Sequence, residues 1–230
     1  MFIIISCSGD NIKAKEYNLF MNKTAELEKL KQEMVDDKNL PLRESNLVFG
    51  EGNPDCDVLF IGEAPGFNED REQRPFVGRA GQLLRAGIRK LGWREEDVYI
   101  TNIVKRRPPE NRDPNPEEIE SYKPYLAKQI DIINPKIIVL LGRFSMNYFL
   151  PLAKITRDQG KLFKIEKYFV LPMLHPAAAL RGNEAMKMFK ETFLKLPAIL
   201  QKVNSGKFNE VKPEQVQKQQ KLEDVQAKLF

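Results

Sequence analysis

Asp57-Val58-Leu59-Phe60-Ile61, running into Gly62-Glu63-Ala64-Pro65-Gly66, decides how this chain is read. An unbroken apolar run of strand length, without polar alternation, fits a strand covered on both faces. The glycines and proline behind it end the strand abruptly. Val98–Ile103, Lys136–Leu141 and Tyr168–Met173 have the same character. Helical spacing fills the gaps between them. Gly78–Leu91 is one such stretch. Another opens at Asn115-Pro116-Glu117-Glu118, where a capping residue, a first-turn proline and an acid at the third position mark a helix start. Its buried face is predicted to carry Ile119, Tyr122, Leu126, Ile130 and Ile133. A last helix from about Asn183 should bury Met186, Phe189, Phe193 and Leu196, and Leu27, Leu30 and Met34 mark an earlier one over 22–36. Strands alternating with helices predict an α/β fold with a parallel sheet, whose functional loops lie at the strand carboxyl ends.

The 230 residues suffice for one domain with appendages. Thirty-seven Lys and Arg against 32 Asp and Glu leave a net charge of +5, which permits an anionic partner without demanding one. No run approaches the roughly 18 uninterrupted apolar residues of a membrane span. Two cysteines, Cys7 and Cys56, cannot build a disulfide framework or a four-thiolate metal site, and they suit a reduced, cytoplasmic location. The single histidine, His175, excludes mechanisms that need two imidazoles. Phe2–Ile5 is too short for the apolar core of a secretory signal and has no basic residue before it, so export is not expected. Residues 1–21 read as a disordered extension and 22–200 as the domain. From 201 to 230, six Lys, six Gln and four acids without a long apolar run read as a flexible tail.

Three strand ends carry chemistry-bearing residues. The first leads through Gly62-Glu63-Ala64-Pro65-Gly66 to Glu69, Asp70 and Arg74-Pro75-Phe76-Val77-Gly78-Arg79. A glycine-rich turn before a helix either cradles a phosphate or is merely a turn, and it lacks the Gly-Lys-Ser/Thr ending of a P-loop. The second, Thr101-Asn102-Ile103-Val104, is followed by Lys105-Arg106-Arg107-Pro108-Pro109-Glu110-Asn111-Arg112. That basic, proline-stiffened loop suits a phosphate backbone, or is a solvated charged loop. The third places His175 before Pro176, either as a structural histidine or as a functional one.

Together and in order, the Gly62–Gly66 turn, Pro75-Phe76-Val77-Gly78-Arg79-Ala80-Gly81, Asn102-Ile103-Val104-Lys105 with Arg107-Pro108-Pro109, Leu140-Leu141-Gly142 and His175-Pro176 resemble the motifs of family 4 uracil-DNA glycosylases. The resemblance covers residues 22–200. It implies a three-layer α/β/α fold around a four-stranded parallel sheet. It also implies an enzyme that flips uracil out of DNA and hydrolyses its N-glycosidic bond, leaving an abasic site for base excision repair. By the same resemblance Phe76 is the stacking platform, Gly62 belongs to the uracil pocket, and Asn102 reads the uracil edge. A side-chain amide complements the N3–H donor and O4 acceptor of uracil, whereas cytosine reverses that pattern. His175 is expected to stabilise the departing anion at O2, Glu63 to face the attacking water and cationic sugar, and Glu69 to fill the space beside C5. Lys105, Arg107 and Arg181 are the expected phosphate contacts, and Leu180 or Ala179 the tip that fills the vacated stack. The expected partner is uracil-containing DNA, single- or double-stranded, met by a monomer associated with the nucleoid.

The chain also departs from this family. Family members carry four cysteines that bind a [4Fe-4S] cluster, and the matching positions here are Asp37, Leu40, Arg106 and Tyr122. No cofactor or metal is therefore expected, with Leu40 and Tyr122 packed together and Asp37 paired to Arg106. A covalently trapping relative would need a second histidine. The alternatives are a non-catalytic DNA-binding relative and, more remotely, a carboxylate metal hydrolase using Glu63, Glu69 and Asp70. Gln226-Ala227-Lys228-Leu229-Phe230 resembles the Gln-x-x-Leu-Phe peptide that docks on bacterial sliding clamps, so Gln226, Leu229 and Phe230 are expected partner contacts on a tether.

Overall fold

The computed structural model describes residues 8–206, with side chains described from Leu19 onward. The strands are β1 (Glu51–Gly52), β2 (Val58–Gly62), β3 (Tyr99–Asn102), β4 (Ile137–Leu141), β5 (Phe163–Ile165) and β6 (Tyr168–Met173). They form one six-stranded sheet in the order β1-β3-β2-β4-β6-β5. The four expected strands are its parallel centre, β3-β2-β4-β6. The expectation of a four-stranded sheet is corrected at both edges, where β1 and β5 pair antiparallel with their neighbours. Two- and three-residue strands are too short for periodicity to reveal.

The helices are α1 (Ser8–Asp36), α2 (Phe67–Glu72), α3 (Arg79–Lys90), α4 (Pro116–Ile133), α5 (Arg143–Phe149), α6 (Ile155–Asp158), α7 (Pro176–Ala179) and α8 (Asn183–Asn204). Alternate strand residues face opposite helical layers. Leu59, Ile61, Ile138 and Leu140 pack with Leu30 and Met34 of α1 and Tyr122 and Leu126 of α4. Val58, Phe60, Val139 and Leu141 pack with Leu84 and Ile88 of α3 and Phe189 and Phe193 of α8. α4 begins as predicted, with the Asn115 and Glu118 side chains forming a capping box around Pro116. Arg112 grips the same Glu118 carboxylate through two hydrogen bonds of 2.9 and 2.6 Å.

Both ends of the domain differ from expectation. α1 starts at Ser8 rather than near residue 22, so the extension expected to be disordered is helical from that point. α8 runs through Gln201 to Asn204, so the compositional shift lies inside the helix, which Gln and Lys accommodate well. Gln226, Leu229 and Phe230 lie outside the described residues. Among the described residues, no helix is long and apolar enough to cross a membrane.

The four positions that match the cluster cysteines lie where α1, α4 and the loop after β3 meet. Leu40 and Tyr122 are buried in the same apolar cluster, and the Tyr122 hydroxyl donates to Pro41 O at 2.8 Å. The expected Asp37–Arg106 pair is not formed. Asp37 instead accepts from the Tyr125 hydroxyl at 2.7 Å, while Arg106 turns inward to Ser45 O and lies beside the Tyr122 hydroxyl. Ser45, in the loop between α1 and β1, offers the guanidinium a main-chain acceptor, while the half-buried Asp37 carboxylate is already held by the Tyr125 hydroxyl.

Lys105 also departs from expectation. Expected at a DNA phosphate, it is fully buried, with Nζ 2.5 Å from both Thr101 Oγ1 and Gln129 Oε1. The reason lies in the backbone: past the end of β3 the chain bends, with Ile103 N and Val104 N bonded to Gly62 O and Glu63 O, and the bend carries this side chain inward to Thr101 and Gln129. Burial with no acid beside it holds the amine well below the usual lysine range. The unfolded chain therefore binds that proton more tightly, and stability rises with pH between the depressed folded value and about 10.4. Urea titrations should show wild type gaining stability relative to Lys105→Met between about pH 7 and about pH 9.5. Parallel pH dependence in the two proteins would rule out a buried neutral lysine.

Candidate active site

The carboxyl ends of β2, β3, β4 and β6 open into a cleft of about 530 Å³, and Glu63, Glu69, Phe76, Asn102, His175 and Arg181 all line it. Gly62 lies directly beneath. A Cβ there would come within 2.4 Å of Asn102 Oδ1 and 2.5 Å of the Phe76 ring, so glycine is what lets the amide and the ring approach each other. β2 and β3 place Gly62 opposite Asn102 in parallel register. The Asn102 side chain is buried and its Oδ1 has no hydrogen-bond partner, leaving an acceptor to be satisfied from the cleft.

Phe76 takes a left-handed backbone, φ 53°, which is costly for a bulky residue and needs support. Glu69 supplies part of it: Oε1 accepts from Val77 N at 2.9 Å and Gly78 N at 2.7 Å, closing the turn that leads into α3. Arg85 supplies the rest. Its buried guanidinium donates to Phe76 O at 2.9 Å and Pro75 O at 2.8 Å, and pairs with the Glu51 and Glu95 carboxylates. Gly81 completes the clamp, since a Cβ there would meet Phe76 C at 1.9 Å.

His175 caps the short helix α7, and its Nδ1 accepts from Ala177 N at 3.1 Å. In the neutral ring that leaves the proton on Nε2 as the free donor. Desolvation lowers the pKa to about 4, with Glu69 opposing and Arg181 assisting, so the imidazole is neutral at physiological pH. The Phe76 and His175 rings stand 5.9 Å apart, centroid to centroid. Glu63 shifts the opposite way. Burial and the nearby Asp113 carboxylate push it up to about 7, against the pull of Arg143.

Leu180 is exposed at the end of α7, whereas Ala179 is buried in the core and cannot serve as a tip. Arg107 stands on the rim near Phe67. Three residues without a role in the sequence reading contribute to the site: Asp113 and Arg143, which tune Glu63, and Arg85. Arg143 directly follows the strand end Leu140-Leu141-Gly142, which is a positional signal. Arg85 carried none, since one arginine on a helix resembles any solvated charge.

The residues matching the cluster positions do not fit an iron–sulfur group: they offer a buried leucine, a buried tyrosine, a guanidinium and one carboxylate bound to Tyr125, with no thiolate. Cys56 is buried elsewhere, and its thiol is pushed up to about 12 by burial. Among the described residues there is no group of three or more His, Cys, Asp or Glu that could hold a metal ion.

The model of the Uracil DNA glycosylase superfamily matches residues 49–197. The type-4 uracil-DNA glycosylase of Sulfurisphaera tokodaii is 47% identical over 74% of this chain and 83% of its own length. Its counterpart in Archaeoglobus fulgidus is 42% identical over 66% and 81%, and that of Thermotoga maritima 44% identical over 71% and 88%. Matches of this extent span the sheet and every strand end that forms the cleft, and they place the chain in the uracil DNA glycosylase superfamily, among the type-4 uracil-DNA glycosylases.

Proposed function

We propose that this chain is a monofunctional uracil-DNA glycosylase: it flips uracil from DNA and hydrolyses the N-glycosidic bond, leaving an abasic site. The observation that carries the reading is the buried, unpartnered Oδ1 of Asn102 beside the Phe76 ring. Uracil N3–H satisfies that acceptor. Cytosine presents a lone pair there and leaves Oδ1 unpaired, a penalty of about 1–3 kcal/mol. Phe76 stacks the base, and the fixed Glu69 carboxylate stands where a C5 methyl would intrude. As C1′–N1 breaks, its electron pair delocalises onto the uracil, and the neutral His175 donates from Nε2 to O2. Water adds to C1′ and passes its proton to Glu63, whose ionised form also offsets the sugar cation. Arg107 and Arg181 hold flanking phosphates, and Leu180 fills the vacated stack.

No [4Fe-4S] cluster is part of this proposal, because packed side chains occupy the positions that would hold it. In EDTA the protein should still cut a uracil-containing oligonucleotide after alkali, with Asn102→Ala slowed about 100-fold or more. The same preparation should be colourless and iron-free. Uncut DNA would reject the glycosylase reading, and a brown, iron-bearing protein would reject the cluster-free one.

The rate should also depend on pH in a defined direction. With Glu63 at about 7, kcat/KM should rise as pH passes through that value. Removing the like charge by Asp113→Asn should shift the rise to lower pH. His175, at about 4, stays neutral throughout. A flat profile near neutrality would remove Glu63 from the mechanism.

The proposal extends to a cytoplasmic, nucleoid-associated monomer that a sliding clamp holds near DNA through Gln226, Leu229 and Phe230. Deleting 226–230 should abolish clamp pull-down and leave short-oligonucleotide cleavage unchanged; equal pull-down by both proteins would refute the tether.

A further inference from the structure

Phe67 is the most exposed large apolar side chain among the described residues, at 56%. It opens α2 directly after Gly66, which lines the cleft. Over its ring lies the Arg107 guanidinium, 5.2 Å from the centroid. Arg107 is itself fixed, donating from Nε to Asn111 Oδ1 at 2.7 Å, and Asn111 also lines the cleft. An aromatic ring and a cation are thus held together on the rim of the cleft, with most of the ring in solvent. Packing in the core explains neither the ring's position nor the arginine's.

This rim is where the strand must pass. A nucleotide extruded into the cleft leaves its flanking phosphates and the adjoining base at the mouth, and that neighbour has lost a stacking partner. Aromatic rings paired with guanidinium groups hold single-stranded nucleic acid in this way, without regard to sequence, because every base has a π face. We propose that Phe67 and Arg107 form an outer stacking site for the nucleobase next to the flipped uridine, with Arg107 meeting the intervening phosphate. The site lies outside the uracil pocket and rests on the uracil-excision reading. It contributes most when the neighbouring base is unpaired, so it favours single-stranded substrate over duplex.

The test uses the full chain, Phe67→Ala and Phe67→Trp on a single-stranded oligonucleotide with one uridine. Two further strands carry a base-less tetrahydrofuran nucleotide on the 5′ or the 3′ side of the uridine. Phe67→Ala should lower kcat/KM about 5-fold or more, the loss expected for one stacked base, and Phe67→Trp should restore it. Inhibition by free uracil should not change, because free uracil has no neighbour to stack. One of the two base-less strands should cost wild type the same factor and cost Phe67→Ala nothing further. An unchanged rate for Phe67→Ala, additive losses on both base-less strands, or weaker inhibition by free uracil would each overturn the proposal. Fluorescence anisotropy with a cleavage-resistant 2′-fluoroarabino uridine strand measures the same contrast as a Kd. If wild type fails to release uracil, the excision reading falls, while the anisotropy still decides for or against the outer site.

Discussion

β2 and β3 remain paired beyond the last regular strand residue, through Ile103 N to Gly62 O and Val104 N to Glu63 O, both at 3.0 Å. The parallel register of the two strands sets Gly62 opposite Asn102 and fixes where the base-reading amide sits, and these bonds hold the chain at that point. The bend that follows carries Lys105 away from solvent into the core. Because Gly62 has no side chain, Phe76 can cross over the same point. The pocket floor is therefore set by main-chain geometry, and the side chains above it depend on that register being held.

The platform is the most heavily supported part of the site. A left-handed Phe76 costs of order 1–3 kcal/mol and persists only when its surroundings over-determine it. Here the Glu69 carboxylate, the Arg85 guanidinium and the closely packed Gly81 all act on the Pro75–Gly78 turn. Arg85 also ties that turn to β1 through Glu51, which gives the short edge strand a purpose beyond covering the sheet.

The same cleft reverses the usual order of a carboxyl and an imidazole: Glu63 is raised to about 7 and His175 lowered to about 4. Desolvation is the leading cause of both, because it disfavours whichever form is charged. A neutral imidazole can then donate a hydrogen bond without carrying charge at physiological pH, and a carboxyl poised near neutrality can accept a proton. The acidic neighbour of Glu63, Asp113, comes from the loop ahead of α4, so the tuning couples elements that are distant in sequence.

Much of this was legible before any coordinates. The four central strands, α3, the capping box of α4 and the buried face of α8 follow from local patterns, because strand runs and helix caps are set by residues close in sequence. Glu63, Asn102 and His175 stand at strand ends, and Glu69 and Phe76 in the short helix and the turn that follow β2, where the parallel architecture gathers function, and the resemblance gave each a role. Other features were beyond local reading. Edge strands β1 and β5 are too short to show a period, and the turn between β5 and β6 places Glu166 at φ 50° without glycine. Lys105 and Arg107 look alike in one basic loop, yet one is buried among Thr101 and Gln129 and the other stands on the rim. Asp37 and Arg106 had opposite charges but found nearer partners in Tyr125 and Ser45. Periodicity and caps are short-range properties of the chain; burial, ion pairing and pKa depend on which distant segments fold against a side chain, and that is settled only when the layers pack.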